Sequence, residues 1–185
     1  MLRLTQIALM TALLCVLCPV SVPVGPVPVS LGVFVLYLVS FVLPPSQAVT
    51  ACLVYLLLGC AGLPVFAGYA AGLTRVLGPT GGYLAGYLPL VLICAIGVRS
   101  SFKHPRIPRV LIQSAAMLLG LLLLYVLGTA WFVVSTEGMT VSAALSVCVF
   151  PFLPFDLLKI AAAIVAGNAL HTALLRTGIL QNVQL

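Results

Sequence analysis

Charge is almost absent from this sequence: eight basic and two acidic side chains serve 185 residues, 5% of the chain, while 63% is hydrophobic. A soluble domain devotes about 25% of its residues to charge. So few ionic groups cannot make a water-facing surface, and hydrocarbon must be the solvent for most of the chain. A transmembrane helix needs roughly 20 apolar residues, so this length allows about six with short loops. The expectation is an all-α integral membrane protein, one transmembrane domain over residues 1–185.

Apolar runs broken by Pro, Gly and basic clusters set the expected helices. They are 4–18, 30–43, 47–61, 83–98, 110–134 and 155–175. Arg3 and the run behind it have the look of a signal peptide. No small-x-small cleavage site follows, so the run reads as a retained first helix. Pro19–Pro28 (PVSVPVGPVP) holds four prolines and one glycine, and its missing N–H groups predict an ordered, extended loop. The stretch Gly62–Gly82 is too apolar for a solvated linker and too rich in Gly and Pro for one helix. Such backbone is tolerated at membrane depth where it is buried in protein or lines a cavity.

Six helices put both termini on one side. Arg3, Arg99, Lys103, Arg106, Arg109 and Arg176 then fall together, which the positive-inside rule assigns to the cytoplasm. Arg75, Lys159, Glu137 and Asp156 are left for the outer half. The basic residues do not alternate with aromatics on a polar segment, so the net charge of +6 does not point to nucleic acid. The lipid bilayer is the expected partner instead. The six cysteines lie within apolar runs and lack the polar flanks of a disulfide framework or zinc module. No metal, cofactor or catalytic constellation can be assembled around the two histidines, His104 and His171. No P-loop is present, since neither lysine sits in its motif. An enzyme is therefore not expected, and an energised transporter would need partners.

Asp156 and Lys159, three apart at the start of the last helix, share one face. Lys159 lies 17 residues before Arg176, about 25 Å along a helix, which puts the pair near the outer boundary. The pair is either an interfacial anchor or a ligand site; ionisable groups in membrane helices default to the second. Arg75 in the Gly-rich stretch either snorkels to headgroups or faces the same ligand. Phe66, Tyr69, Tyr83 and Tyr87 around it form either an interfacial belt or the walls of a pocket. Together these groups suit a small, mostly apolar organic acid. Cations meet its carboxylate, Asp156 accepts its N–H groups, and rings cover its flat part. On the first helix, Ala8 and Ala12 form a small-xxx-small pair that lets another helix approach, from this chain or a partner.

Three segments carry a resemblance: Tyr55–Gly86 (YLLLGCAGLPVFAGYAAGLTRVLGPTGGYLAG), Pro23–Leu31 (PVGPVPVSL) and Pro151–Lys159 (PFLPFDLLK). In order and spacing they are similar to the BioY family of biotin transporters over nearly the whole chain. The resemblance implies a substrate-capturing S component of an energy-coupling factor importer, with six helices and cytoplasmic termini. Biotin would bind from outside under the loop between the first two helices. Asp156 and Lys159, and with them Arg75, would contact the ligand, beside Phe66, Tyr69 and Tyr83. Ala8 and Ala12 would meet the transmembrane coupling subunit (T component), which holds two ATPase subunits. The alternative is a stand-alone secondary transporter of biotin or a related organic acid, although no internal repeat of that class is visible.

Overall fold

A computed structural model describes residues 2–24, 27–103 and 106–176. Gly25 and Pro26 of the Pro-rich segment, and His104 of the basic loop, lie outside the described residues. The order is α1 (Leu2–Leu17), β1 (Ser21–Val24), β2 (Val27–Ser30), α2 (Gly32–Val42), α3 (Pro45–Cys60), α4 (Leu73–Leu77), α5 (Gly81–Lys103), α6 (Arg109–Ser135), α7 (Val141–Cys148) and α8 (Leu153–Arg176). All six expected helices are found. Three of them, α5, α6 and α8, are long and apolar enough to cross a membrane; α1, α2 and α3 are shorter apolar helices.

The chain is mostly helical, but the all-α expectation needs correction. The Pro-rich segment is an antiparallel hairpin in which Ser21 pairs with Ser30, Val22 with Val29 and Pro23 with Pro28. Two prolines can face each other only at a non-hydrogen-bonded position, because neither has an N–H to exchange. That phase matches the bond from Leu31 N to the Val20 carbonyl at 3.1 Å, two pairs further along the ladder from Val22–Val29. Prolines thus sit where the ladder needs no donor, a pattern that composition alone does not display. The other surprise is α7. Thr140 caps it by accepting from Ala143 N at 3.3 Å, and the apolar residues after it continue the helix.

The Gly-rich stretch is irregular, as expected. A 3-10 turn (Ala67–Tyr69) and the short α4 are joined through Gly62, Gly68 and Gly72, all at positive φ. Gly68 N bonds the Pro19 carbonyl at 3.0 Å, which seats this stretch against the hairpin base. Phe66 is buried, edge-on to Tyr55 with ring centroids 5.8 Å apart.

In the bundle α2 is the central rod: nine of its eleven residues are buried, as expected of a helix apolar on every side. It packs on α5 and α8, while α1 lies on α3 and α5 on α6. The α5–α6 seam is close because glycines admit the facing helix: a Cβ on Gly120 would lie 3.2 Å from Cys94 Sγ, and the Tyr83 ring occupies the space a Cβ on Gly128 would need. By contrast α8 buries one stripe, Asp156, Ile160, Ala163, Ile164, Gly167 and His171. Its outward Leu158 and Val165 are 68% and 74% exposed, which suits hydrocarbon and not water.

One polar cluster ties three helices inside this apolar frame. Gln113 of α6 is fully buried; its Nε2 donates to Asn168 Oδ1 of α8 at 3.2 Å, and Asn168 Nδ2 returns a bond of 2.9 Å. The same Nε2 also reaches Ser101 Oγ of α5 at 3.1 Å. Gln113→Ala is expected to destabilise the detergent-solubilised protein by about 1–2 kcal/mol, because Asn168 Oδ1 loses its donor while Nδ2 keeps only the Ile164 carbonyl. The double variant Gln113→Leu/Asn168→Leu should recover most of that loss in thermal unfolding. An unchanged midpoint for Gln113→Ala would show that the cluster does not hold the bundle.

Candidate functional site

Asp156 sits in the first turn of α8 and is buried, 5% exposed. Both carboxylate oxygens are engaged: Tyr125 Oη of α6 donates to Oδ2 at 2.6 Å, and Lys159 Nζ donates to Oδ1 at 2.9 Å. The i, i+3 spacing predicted from sequence is what brings the ammonium back to the carboxylate one turn below. Taking both charges out of water costs several kcal/mol per ion, which their attraction offsets only in good geometry. A buried pair of this kind is a weak device for stability alone. Within a bundle interior it marks a place where polar chemistry is wanted.

The pair faces a cavity of about 70 Å³. Its walls come from the hairpin (Val29, Ser30), α5 (Tyr83, Tyr87), α6 (Leu124, Tyr125) and the α7–α8 region (Cys148, Phe152). A second cavity of about 60 Å³ adjoins it, lined by Arg75, Phe66 and Thr80. Ser30, Tyr83 and Tyr87 line both, so the two are compartments of one site separated by side chains. Lys159 and Asp156 stand in one compartment and Arg75 in the other. Arg75 is half-buried and has no ion-pair partner among the described residues. The Tyr83 hydroxyl lies 3.2 Å from Thr129 Oγ1. Gly32 is required beside the site, because a Cβ there would stand 2.9 Å from the Tyr87 hydroxyl and 3.2 Å from Ser30 Oγ.

The structure therefore brings together Asp156, Lys159, Arg75, Tyr83 and Phe66. Tyr69 is different: it is 68% exposed, at φ 59°, and lines neither compartment. Ala8 and Ala12 are both exposed on α1, away from the packed face that carries Thr11 and Leu14. Sequence reasoning passed over Tyr125. Its signal is a lone phenol within LLLLYVLG, since a buried Tyr hydroxyl in an apolar run needs a partner. Ser30 left no comparable signal, because its place depends on the hairpin. Among the described residues no group of three or more His, Cys, Asp or Glu could hold a metal.

All three helices that line this site with their first turns, α2, α5 and α8, run away from it toward the basic end. A sequence profile described as the BioY family matches residues 1–176. This chain belongs to the BioY family. It is 37% identical to biotin transporter BioY2 of Lactococcus lactis, over 94% of this chain and 92% of the relative. It is 36% identical to biotin transporter BioY of Thermotoga maritima, over 87% and 90%. The probable biotin transporter BioY of Pyrococcus horikoshii is 34% identical, over 91% and 96%. The fold is shared with a crystal structure at 2.1 Å described as the S-component for biotin from an ECF-type ABC transporter. That match has a TM-score of 0.79 at 24% identity, over 92% of this chain and 90% of the other. The family and its named members are transporters and not enzymes.

The Asp156–Lys159 pair makes a direct prediction about the unliganded protein. Lys159→Met alone leaves a buried carboxylate without its cation and is expected to cost about 3 kcal/mol. Asp156→Asn/Lys159→Met should be less destabilised than that single variant in thermal unfolding. Purely additive losses would mean that the two groups are not coupled.

Proposed function

We propose that this chain is the biotin-binding S component of an energy-coupling factor importer. In this reading six helices cross the plasma membrane, with both termini in the cytoplasm and the two-compartment site on the outer side. The observation that carries it is a buried anion–cation pair and a separate unpaired cation, set in adjoining compartments with tyrosines between them. Biotin has matching parts: a carboxylate at the end of an apolar tail, and a flat ureido ring with N–H donors and a carbonyl. Asp156 accepts a ureido N–H, and Lys159 or Arg75 takes the carboxylate. Tyr83, Tyr87 and Phe66 cover the apolar middle. The family assignment and the biotin transporters named among its relatives support this substrate.

Capture precedes reorientation. The compartments are small beside the roughly 300–1,000 Å³ of ordinary ligand pockets. Admission of biotin then calls for movement of the hairpin, whose Val29 and Ser30 form part of the wall. Return of the hairpin excludes water and strengthens each polar contact. The chain has no P-loop, so ATP hydrolysis belongs to two partner ATPases, reached through a T component that packs on the exposed Ala8 and Ala12 of α1. Small residues at those positions allow a partner helix to approach closely.

Purified protein in detergent is expected to bind biotin saturably at about one to one, desthiobiotin more weakly, and thiamine not at all. Whichever of Lys159→Ala and Arg75→Ala removes the cation on the carboxylate should weaken biotin by about tenfold or more, the loss expected for one charge-assisted contact. Equal affinity in Asp156→Asn and Lys159→Ala would rule out this site, and no binding to a folded sample would remove the substrate. Proteoliposomes separate the importer from the stand-alone transporter. Uptake should require the T component, the ATPases and ATP, and Ala8→Leu/Ala12→Leu should abolish it while biotin binding persists.

A further inference from the structure

Six of the eight basic residues gather at the end of the bundle opposite the ligand site: Arg3, Arg99, Lys103, Arg106, Arg109 and Arg176. Both acidic residues of the sequence are at the other end, Asp156 opening α8 and Glu137 just past α6. No Asp or Glu side chain of this chain faces these cations. Among the described residues none of these cations has an ion-pair partner.

A cavity of about 230 Å³, larger than either ligand compartment, opens at this basic end between the last turns of α2, α5 and α8. Val42, Leu43 and Val98 give it apolar walls, while Arg99 and Lys103 project from α5 and His171 from α8. Several of its groups already have partners. The His171 ring stacks on Phe102 at 4.0 Å, and its Nδ1 lies 3.4 Å from the Phe41 carbonyl. The Arg109 guanidinium lies 5.1 Å from the Phe102 ring centroid, a cation–π distance. This stack fixes one wall. Arg99 is half-buried and Lys103 exposed, and neither has an ion-pair partner among the described residues.

We propose that this cavity binds the headgroup of an anionic phospholipid of the cytoplasmic leaflet. Arg99 and Lys103 hold the phosphate, and Val42, Leu43 and Val98 take the first segment of an acyl chain. The inference rests on the membrane reading given above. In that reading the 23 residues of α5 span about 35 Å, which sets its basic last turn at headgroup depth. Basic pockets between transmembrane helices on the cytoplasmic side suit anionic headgroups, and each nearby Lys or Arg adds to the attraction. A zwitterionic lipid gains less, since its own cation meets Arg99 and Lys103 with no carboxylate to receive it. The mixed wall separates this site from one for a free anion, which has no use for Val42 and Val98.

Native mass spectrometry of the purified protein, with phosphatidylglycerol or phosphatidylcholine added at equal concentration, tests the assignment. The wild type should retain one phosphatidylglycerol in preference to phosphatidylcholine. Arg99→Gln/Lys103→Gln should lower that retention about tenfold or more, and the exposed-rim variant Lys103→Glu should lower it too. The charge-matched control Arg106→Gln/Arg176→Gln, whose residues lie outside the cavity, should retain the lipid. Equal retention of the two lipids, or equal loss in the control, overturns the proposal. Displacement by millimolar inorganic phosphate also overturns it, by showing a soluble-anion site. Biotin titration of the same samples should be unchanged in all variants. If the wild type bound no biotin, the substrate reading would fail while the lipid comparison would still decide this cavity.

Discussion

Hydrocarbon offers no hydrogen bonds, and the polar bridges between α6 and α8 answer to that fact. Two bonded sets of polar side chains stand out inside the bundle, while the buried Tyr37 hydroxyl has no hydrogen-bond partner among the described residues. The Asp156 carboxylate is held by Tyr125 and Lys159 at one level, and the Gln113 and Asn168 amides hold each other at another. Both sets bridge α6 and α8. Tyr125 lies twelve residues after Gln113, and Asn168 twelve after Asp156, so the two bridges are in register on antiparallel helices about 18 Å apart. A slip of either helix would unpair both at once. With so few polar atoms available, this register is specified by hydrogen bonding and not by apolar packing, which tolerates small shifts.

Such economy divides the molecule by function. The upper bridge lies in a cavity and contains charge; the lower one is neutral, with Gln113 buried and Asn168 half-buried. A buried ion pair contributes little net stability against an apolar alternative, and this one stands beside Ser30, Tyr83 and Tyr87 in the cavity wall. The lower bridge closes α5, α6 and α8 beneath it. The hairpin and the Gly-rich stretch take no part in either bridge. Within the Gly-rich stretch Gly62, Gly68 and Gly72 take positive φ.

The two ends of the bundle also differ in sign. At the ligand end the cations are few and each is placed against the site. At the other end they are many and meet no acid of this chain. One consequence is physical: a basic face of this kind is attracted to an anionic surface. A second is that α2, α5 and α8, which carry the site on their first turns, bring their last turns to the basic cavity. The cavities at the two ends are thereby joined by three continuous rods.

By itself the sequence determined the solvent, the six principal helices, the sign of each end and the pairing of Asp156 with Lys159. These follow from composition, apolar run length and i, i+3 spacing, all local quantities. It also marked Arg75, Phe66 and Tyr83, because cations and rings in a Gly-rich apolar stretch are conspicuous. Only the tertiary structure decided that Pro19–Pro28 closes as a hairpin, that Thr140 starts an extra helix, and that Tyr69 points away while Tyr125 points in. Those outcomes depend on partners distant along the chain. Ser30 reaches the site because proline phase sets the hairpin ladder, and Tyr125 reaches it because α6 and α8 meet in one register. Nothing in a single segment of an apolar chain encodes which neighbour will lie opposite, since hydrocarbon-facing and core-facing positions use the same residues.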